Sequence, residues 1–136
     1  MAEFIMKDLA QKEGLNFYVE SAAVSSEELG NAVYPPARRE LAKHGIACDG
    51  KFARKMAAQD LQKFDLIACM DNSNLANIKR ICGNDLKNKV HLLPEFSDTA
   101  NTEVDDPWYT GDFAAAYNEI LSGCLGIVSA FKNKRL

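Results

Sequence analysis

An α/β fold, an open parallel sheet with helices on both faces in three layers, is the architecture the 136 residues predict. Two observations predict it. "FDLIACM" (64–70) is a continuous apolar run of the length of a parallel strand buried on both faces. Strand-like and helix-like segments also alternate along the chain, as parallel pairing with crossover helices requires.

The first element is a helix. In "AEFIMKDLAQKEG", Ala2, Ile5 and Leu9 share a face and Gly14 stops the run. "NFYVESAA" (16–23) is strand-like, and the polar stretch 25–34 after it is a loop closed by Pro35 and Pro36. The prolines open a helix over 36–44 that Gly45 ends. After the strand at 64–70, Asp71 to Ser73 supply a cap for the helix "NLANIKRIC", which Gly83 ends. "KVHLL" (89–93) is a further short strand. Phe113, Tyr117, Ile120, Cys124, Ile127 and Phe131 then recur at spacings of three and four, a single helical stripe with Asp112 as its N-cap.

The length suits one domain, 1–136. A net charge of −3 gives no basic field for phosphate contacts, so nucleic acid is not an expected partner. No apolar run is expected to span a bilayer, and the charged N-terminal helix is unlike a signal peptide, so no membrane partner is expected and the predicted location is cytoplasmic. Cys48, Cys69, Cys82 and Cys124 form no C-x-x-C pair, and neither disulfides, a metal nor a cofactor is expected.

In open parallel sheets ligands bind where the strands end. Asp71, the loop carrying Asp106 and the loop 25–34 all follow predicted strands, so the three converge on one edge. "DDPWYTGDF" (105–113) is the most suggestive of them, with two carboxylates, a proline and two aromatics. As a turn it leads into the last helix; as a site it offers an acid beside aromatic walls.

"SAAVSSEELG", "PPARRELAKHGI", "ARKMAAQDLQKFDLIACMDNSNL" and "DDPWYTGDF", in this order and at these separations, closely resemble the low-molecular-weight protein tyrosine phosphatases over essentially the whole chain. The opening "MAEFIMKDL" is similar to the helix that in this family follows the signature C-x-x-x-x-x-R-[S/T]. That loop and the central first strand before it are not among the 136 residues, so the resemblance implies a chain that begins just after its own phosphate loop. It further implies hydrolysis of phosphotyrosine monoesters through a cysteinyl-phosphate in complete members. Substrates would be phosphotyrosine-containing proteins or small phosphomonoesters.

Residue by residue, the resemblance makes Asp106 the general acid that enters protonated, Trp108 and Tyr109 the cleft aromatics and Ser21 a loop-supporting hydroxyl. Glu27 stands where several members have an aromatic, making the rim more acidic, and Lys51 replaces a histidine that some members place behind the loop. Arg54 and Asp71 match as structural residues. "CDGKFAR" (48–54) is literally C-x-x-x-x-x-R, but Lys55 follows where Ser or Thr belongs and no buried strand leads in, so it reads as a decoy. The chain alone is therefore expected to be inactive, with self-association through strand edges left open by the missing strand. Two other readings are a non-catalytic phosphatase-fold binding or regulatory protein and an arsenate reductase. The last is weakened because Cys69 sits at a resolving position while Ala76 stands where its partner would be.

Overall fold

The computed structural model describes residues 1–24, 33–48, 50–51, 53–98 and 102–136. Its elements are helices α1 (Ala2–Lys12), α2 (Pro35–Lys43) and α3 (Asp60–Lys63), strand β1 (Ile67–Cys69), helix α4 (Asn72–Cys82), strand β2 (Val90–Leu92), a 3-10 helix (Leu93–Phe96), and helices α5 (Pro107–Thr110) and α6 (Phe113–Lys132).

The two strands pair in parallel, with Ile67 opposite Val90 and Cys69 opposite Leu92. β1 is shorter than the expected 64–70. It is also less buried than a strand covered on both faces, since Ile67 and Ala68 are half-buried and Cys69 alone is buried. The reason is topological: among the described residues β1 has a partner on one edge only.

The expected strand at 16–23 joins no ladder with β1. It makes a single parallel bridge, Ala23 to Lys55, through Ala23 N–H donating to Arg54 O at 2.7 Å and Met56 N–H to Ala23 O at 2.8 Å. Side chains hold it to that neighbour and also, through Ser21 and Phe17, to Glu3 and Phe131. Tyr18 stacks on Phe64 at 6.0 Å with the Lys63 ammonium over both rings, and Glu20 pairs with Arg54 at 3.5 Å. Among the described residues, no backbone pairing joins this segment to β1.

α6 runs against α1, α2 and the 3-10 helix. Tyr117, Ile120, Cys124 and Ile127 of the predicted stripe are buried, together with Ala116, Gly123, Val128 and Ala130. The stripe fails at its C-terminal end, where Phe131 is 46 % exposed and meets Phe17 edge-on at 4.9 Å. One expectation needs correcting here: α6, at 20 residues and mean hydropathy 1.3 in its most apolar window, is long and apolar enough to cross a membrane. In this fold that apolarity supplies the core, because the helix packs on three other elements.

Two glycines make the approach to the 3-10 helix close. A Cβ on Gly123 would lie 2.5 Å from Leu93 Cγ, and one on Gly126 would fall inside the van der Waals shell of the Phe96 carbonyl. On the other side α2 docks through His44, whose ring stacks on Tyr117 at 3.6 Å while its Nε2 pairs with buried Glu40 at 3.0 Å. The resulting cluster of Ile5, Met6, Leu41, Ile46, Cys48, Leu93, Val104, Tyr117, Ile120 and Cys124 is the main core. Phe17, Val19, Leu66, Ala68 and Met70 pack against it and are themselves partly buried.

Candidate functional site

The C-terminal end of β1 organises the first half of the site. Asp71 is extended and caps α4, accepting from Asn74 N–H at 2.7 Å; Asn74 Oδ1 in turn accepts from Met70 N–H at 3.2 Å. The Met70 carbonyl accepts from Val104 N–H at 2.7 Å. Val104 is 2 % exposed and belongs to the main core, so the segment leading to Asp106 is seated directly on the strand end. One residue earlier, Glu103 Oε1 accepts from Asn72 N–H at 2.8 Å and Asn72 Nδ2 at 2.9 Å.

The expected loop 105–112 contains a turn of helix. Proline at its first position suits α5, whose missing N–H would have no helical partner anyway. The Asp106 carbonyl accepts from Tyr109 and Thr110 N–H at 3.1 and 3.2 Å. Gly111, at φ 75°, turns the chain so that Asp112 caps α6 by accepting from Ala115 N–H at 2.9 Å. "DDPWYTGDF" thus leads into the last helix, as expected of a turn, and carries Asp105, Asp106 and Tyr109 exposed after the segment seated on the strand end. Tyr109 is 85 % exposed, a ring in solvent and not a wall.

A second cluster gathers at the start of α1. Glu3 is 5 % exposed, and its carboxylate accepts from Ser21 N–H at 2.7 Å, Ser21 Oγ at 2.8 Å and Lys7 at 2.8 Å, and pairs with Lys51 at 2.7 Å. Although burial opposes it, hydrogen bonding from Lys51, Lys7 and Ser21 holds the carboxyl at a pKa of about 2. Ser21 is thereby tied to the first turn of α1. Lys51, in the place of a histidine, pairs with the same carboxylate. Both clusters rest on one apolar body, since Val104 and Ile5 share the main core. Glu27 lies outside the described residues.

Glu3, Glu103 and Asn72 were not singled out from the sequence. The only local signal for Glu3 is its place with Met6 and Ala10 on the buried face of α1, which widens the expected Ala2–Ile5–Leu9 face that also meets the core. Nothing local marks Glu103.

None of the four thiols is placed as a nucleophile. Cys48 is 3 % exposed in the core, and the arginine that completes its C-x-x-x-x-x-R pattern is engaged by Asp60 at 3.1 Å. Burial pushes the Cys69 thiol up to about 11 and Cys124 up to about 12, and raises Cys82 as well. Cys69 donates to His91 O at 3.5 Å within the sheet, which leaves it poorly suited to a redox relay.

Comparison with known proteins agrees with this geometry. The sequence profile of the low molecular weight phosphotyrosine protein phosphatases matches residues 1–136. The chain is 34 % identical over 140 residues to the low molecular weight protein-tyrosine-phosphatase YfkJ of Bacillus subtilis, covering 99 % of this chain and 88 % of YfkJ. It is 36 % identical over 129 residues to PtpA of Staphylococcus aureus, covering 94 % and 82 %. The crystal structure of YfkJ superposes with a TM-score of 0.94 at 30 % identity, over 99 % of this chain and 87 % of that one. A profile match over residues 1–136 and 34 % identity to a relative over 99 % of this chain make it a member of the low-molecular-weight phosphotyrosine protein phosphatase family.

Proposed function

We propose that these 136 residues carry the acid half of a phosphotyrosine phosphatase site and that the nucleophile half is a C-x-x-x-x-x-R-[S/T] loop supplied from outside them. The reading is carried by the acid segment, anchored at the end of β1 through Val104 and Met70 and presenting Asp106 at the start of α5. A phosphate monoester dianion resists attack and leaves through a basic oxygen. Hydrolysis therefore needs a thiolate to form the phosphoenzyme, donors around the phosphoryl oxygens and an acid on the leaving oxygen.

In this reading Asp106, protonated, delivers its proton to the tyrosyl oxygen and then, as carboxylate, takes one from the water that hydrolyses the cysteinyl-phosphate. Trp108, Tyr109 and Glu27 contact the ring and its flanking peptide. Ser21 steadies the loop from the side, held by Glu3. Substrates are phosphotyrosine-containing proteins or small phosphomonoesters, met in the cytoplasm.

The state of the thiols supports inactivity of the chain alone: Cys48, Cys69 and Cys124 are buried, and Cys69, Cys82 and Cys124 are held above the ordinary thiol range. The missing piece would also include a strand beside β1, whose second edge has no strand partner among the described residues. Turnover of 4-nitrophenyl phosphate decides the matter. The 136-residue chain should show none above background, and the same chain preceded by an apolar strand and the C-x-x-x-x-x-R-[S/T] loop should be active. Turnover by the short chain within tenfold of the longer one refutes the proposal, and its loss in Cys48→Ser would restore the decoy as nucleophile. Inactivity of both forms favours a binding role.

A further inference from the structure

A cleft of about 390 Å³ opens between α2 and the start of α6, with Pro36, Arg39 and Lys43 on one side and Gly111, Asp112 and Phe113 on the other. Its place follows from the order of the chain. α2 begins directly after the loop 25–34, and Gly111 directly follows α5. The cleft therefore lies at the ends of the two segments that the phosphatase reading makes the substrate rim. Tyr34 and Phe113 bring those ends together, with ring centroids 6.0 Å apart.

The charges that line it are unevenly committed. Glu40 is buried, and its two oxygens meet Lys43 at 3.5 Å and His44 at 3.0 Å. Asp112 accepts from Ala115 N–H at 2.9 Å as the cap of α6. Arg39 is exposed and makes no ion pair among the described residues. An anion entering the cleft thus meets a planar guanidinium whose donors suit a carboxylate in bidentate geometry. A cation would meet Arg39 and Lys43 as like charges and carboxylates that already have partners.

Reach decides which part of a substrate arrives there. From Asp106 to Gly111 the chain makes the single turn of α5, at ~1.5 Å per residue roughly 8 Å in all. An extended peptide advances roughly 3.3–3.6 Å per residue. A side chain two to four residues from a phosphotyrosine placed at Asp106 spans that distance, whereas an aryl phosphate has no group to send into the cleft.

We propose that this cleft is a specificity subsite in which Arg39 receives an acidic side chain two to four residues from the phosphotyrosine, so that phosphoproteins with a nearby Glu or Asp are the preferred substrates. The inference deepens the phosphatase reading above and rests on it. Lys43, already paired with Glu40, adds to the positive field and contributes less. The subsite acts on the choice of peptide and takes no part in the transfer of the phosphoryl group.

The test uses the N-terminally completed protein and a phosphotyrosine peptide flanked by serines, in which one serine at a time is replaced by Glu or by Lys. For one or two positions, two to four residues from the phosphotyrosine, Glu should raise kcat/KM about 2- to 5-fold and Lys should lower it, the size expected of a solvent-accessible ion pair. Arg39→Gln should bring the Glu and Ser peptides to parity. Arg39→Glu should reverse the order and favour Lys, and Lys43→Gln should keep most of the preference for Glu. Raising the salt from about 0.05 to 0.5 M should shrink the preference in the parent.

A parent that favours Glu at no position, or a preference that survives both Arg39 variants, overturns the subsite. If the completed parent turns over neither 4-nitrophenyl phosphate nor any peptide, the phosphatase reading has failed, and fluorescence anisotropy of the same labelled peptides decides alone. Tighter binding of a Glu peptide that is lost in Arg39→Glu then upholds the subsite, and equal binding of the Glu, Ser and Lys peptides overturns it.

Discussion

Asp106 and Glu3 show how differently two carboxylates are used on one small scaffold. Asp106 is exposed, at the mouth of a one-turn helix, whereas Glu3 is buried under four donors. In the completed protein Asp106→Ala should slow turnover of substrates with poor leaving groups by roughly 10² to 10⁴, the usual effect of losing a general acid. Asp105→Ala should do far less. Steady-state rates across a series of aryl phosphates check this, and a loss that does not shrink as the leaving group improves would remove Asp106 from the role. Glu3 governs stability. Its pKa falls from 4.5 to about 2 on folding, so its contribution is fully present above about pH 4.5 and disappears as the pH drops towards 2. At 1.36 kcal/mol per unit the full difference is on the order of 3 kcal/mol. Urea unfolding between pH 6 and pH 2.5 should show that loss in the parent and a much flatter profile in Glu3→Gln. The variant should also be weaker at neutral pH, where Lys51 is left half-buried beside a neutral amide.

Among the elements, α6 is the one on which the rest is assembled. Its two close-approach glycines run against intrinsic propensity, since Gly in a helix interior costs about 0.5–1 kcal/mol relative to Ala. Gly126→Ala should nevertheless destabilise, because its Cβ would overlap the Phe96 backbone carbonyl, which has no rotamer to yield. Overpacking of this sort costs roughly 1–3 kcal/mol or more and outweighs the propensity gain. A lower urea midpoint for Gly126→Ala would confirm it, and a higher one would mean that the 3-10 helix moves away freely. The features that were legible in the sequence are local ones. Asp71 and Asp112 were readable as caps because capping is decided within three residues, and Gly83, at φ 89°, as a stop for the same reason. Glu3 and Glu103 were not, because their partners Ser21, Lys51 and Asn72 lie 18, 48 and 31 residues away and a carboxylate on a helix or loop ordinarily faces water. The segment 16–23 was misread for the same cause. Its alternation suits a strand, but pairing depends on a neighbour, and its described partners are 54–64, Glu3 and Phe131, with one backbone bridge among the described residues.

For the molecule as a whole the consequence lies in the sheet. Among the described residues β1 pairs with β2 alone, and 16–23 meets Arg54, Lys55 and Phe64. Phe17, Val19, Leu66, Ala68 and Met70, packed against the main core, are themselves only partly buried. In a parallel ladder successive residues point their backbone groups to opposite edges. With Ile67 N–H directed to Lys89 O, the amides of Leu66 and Ala68 face away from β2, along a side with no strand among the described residues. A strand seated there would bury about four or five large side chains at roughly 1.5–3 kcal/mol each, on the order of 10 kcal/mol. That equals the whole stability of an ordinary domain, about 5–15 kcal/mol. The 136-residue chain by itself is therefore expected to be marginal and to satisfy its open edge by association with a second copy. Sedimentation velocity across a hundredfold range of concentration should show growth in mass, and thermal melts should sharpen and move upward as concentration rises. Adding the strand and loop in the same polypeptide should abolish that dependence and return a monomer. A short chain that stays monomeric and melts cooperatively at one temperature throughout would mean that the α6 core, with α1, α2 and the 3-10 helix around it, suffices without a wider sheet.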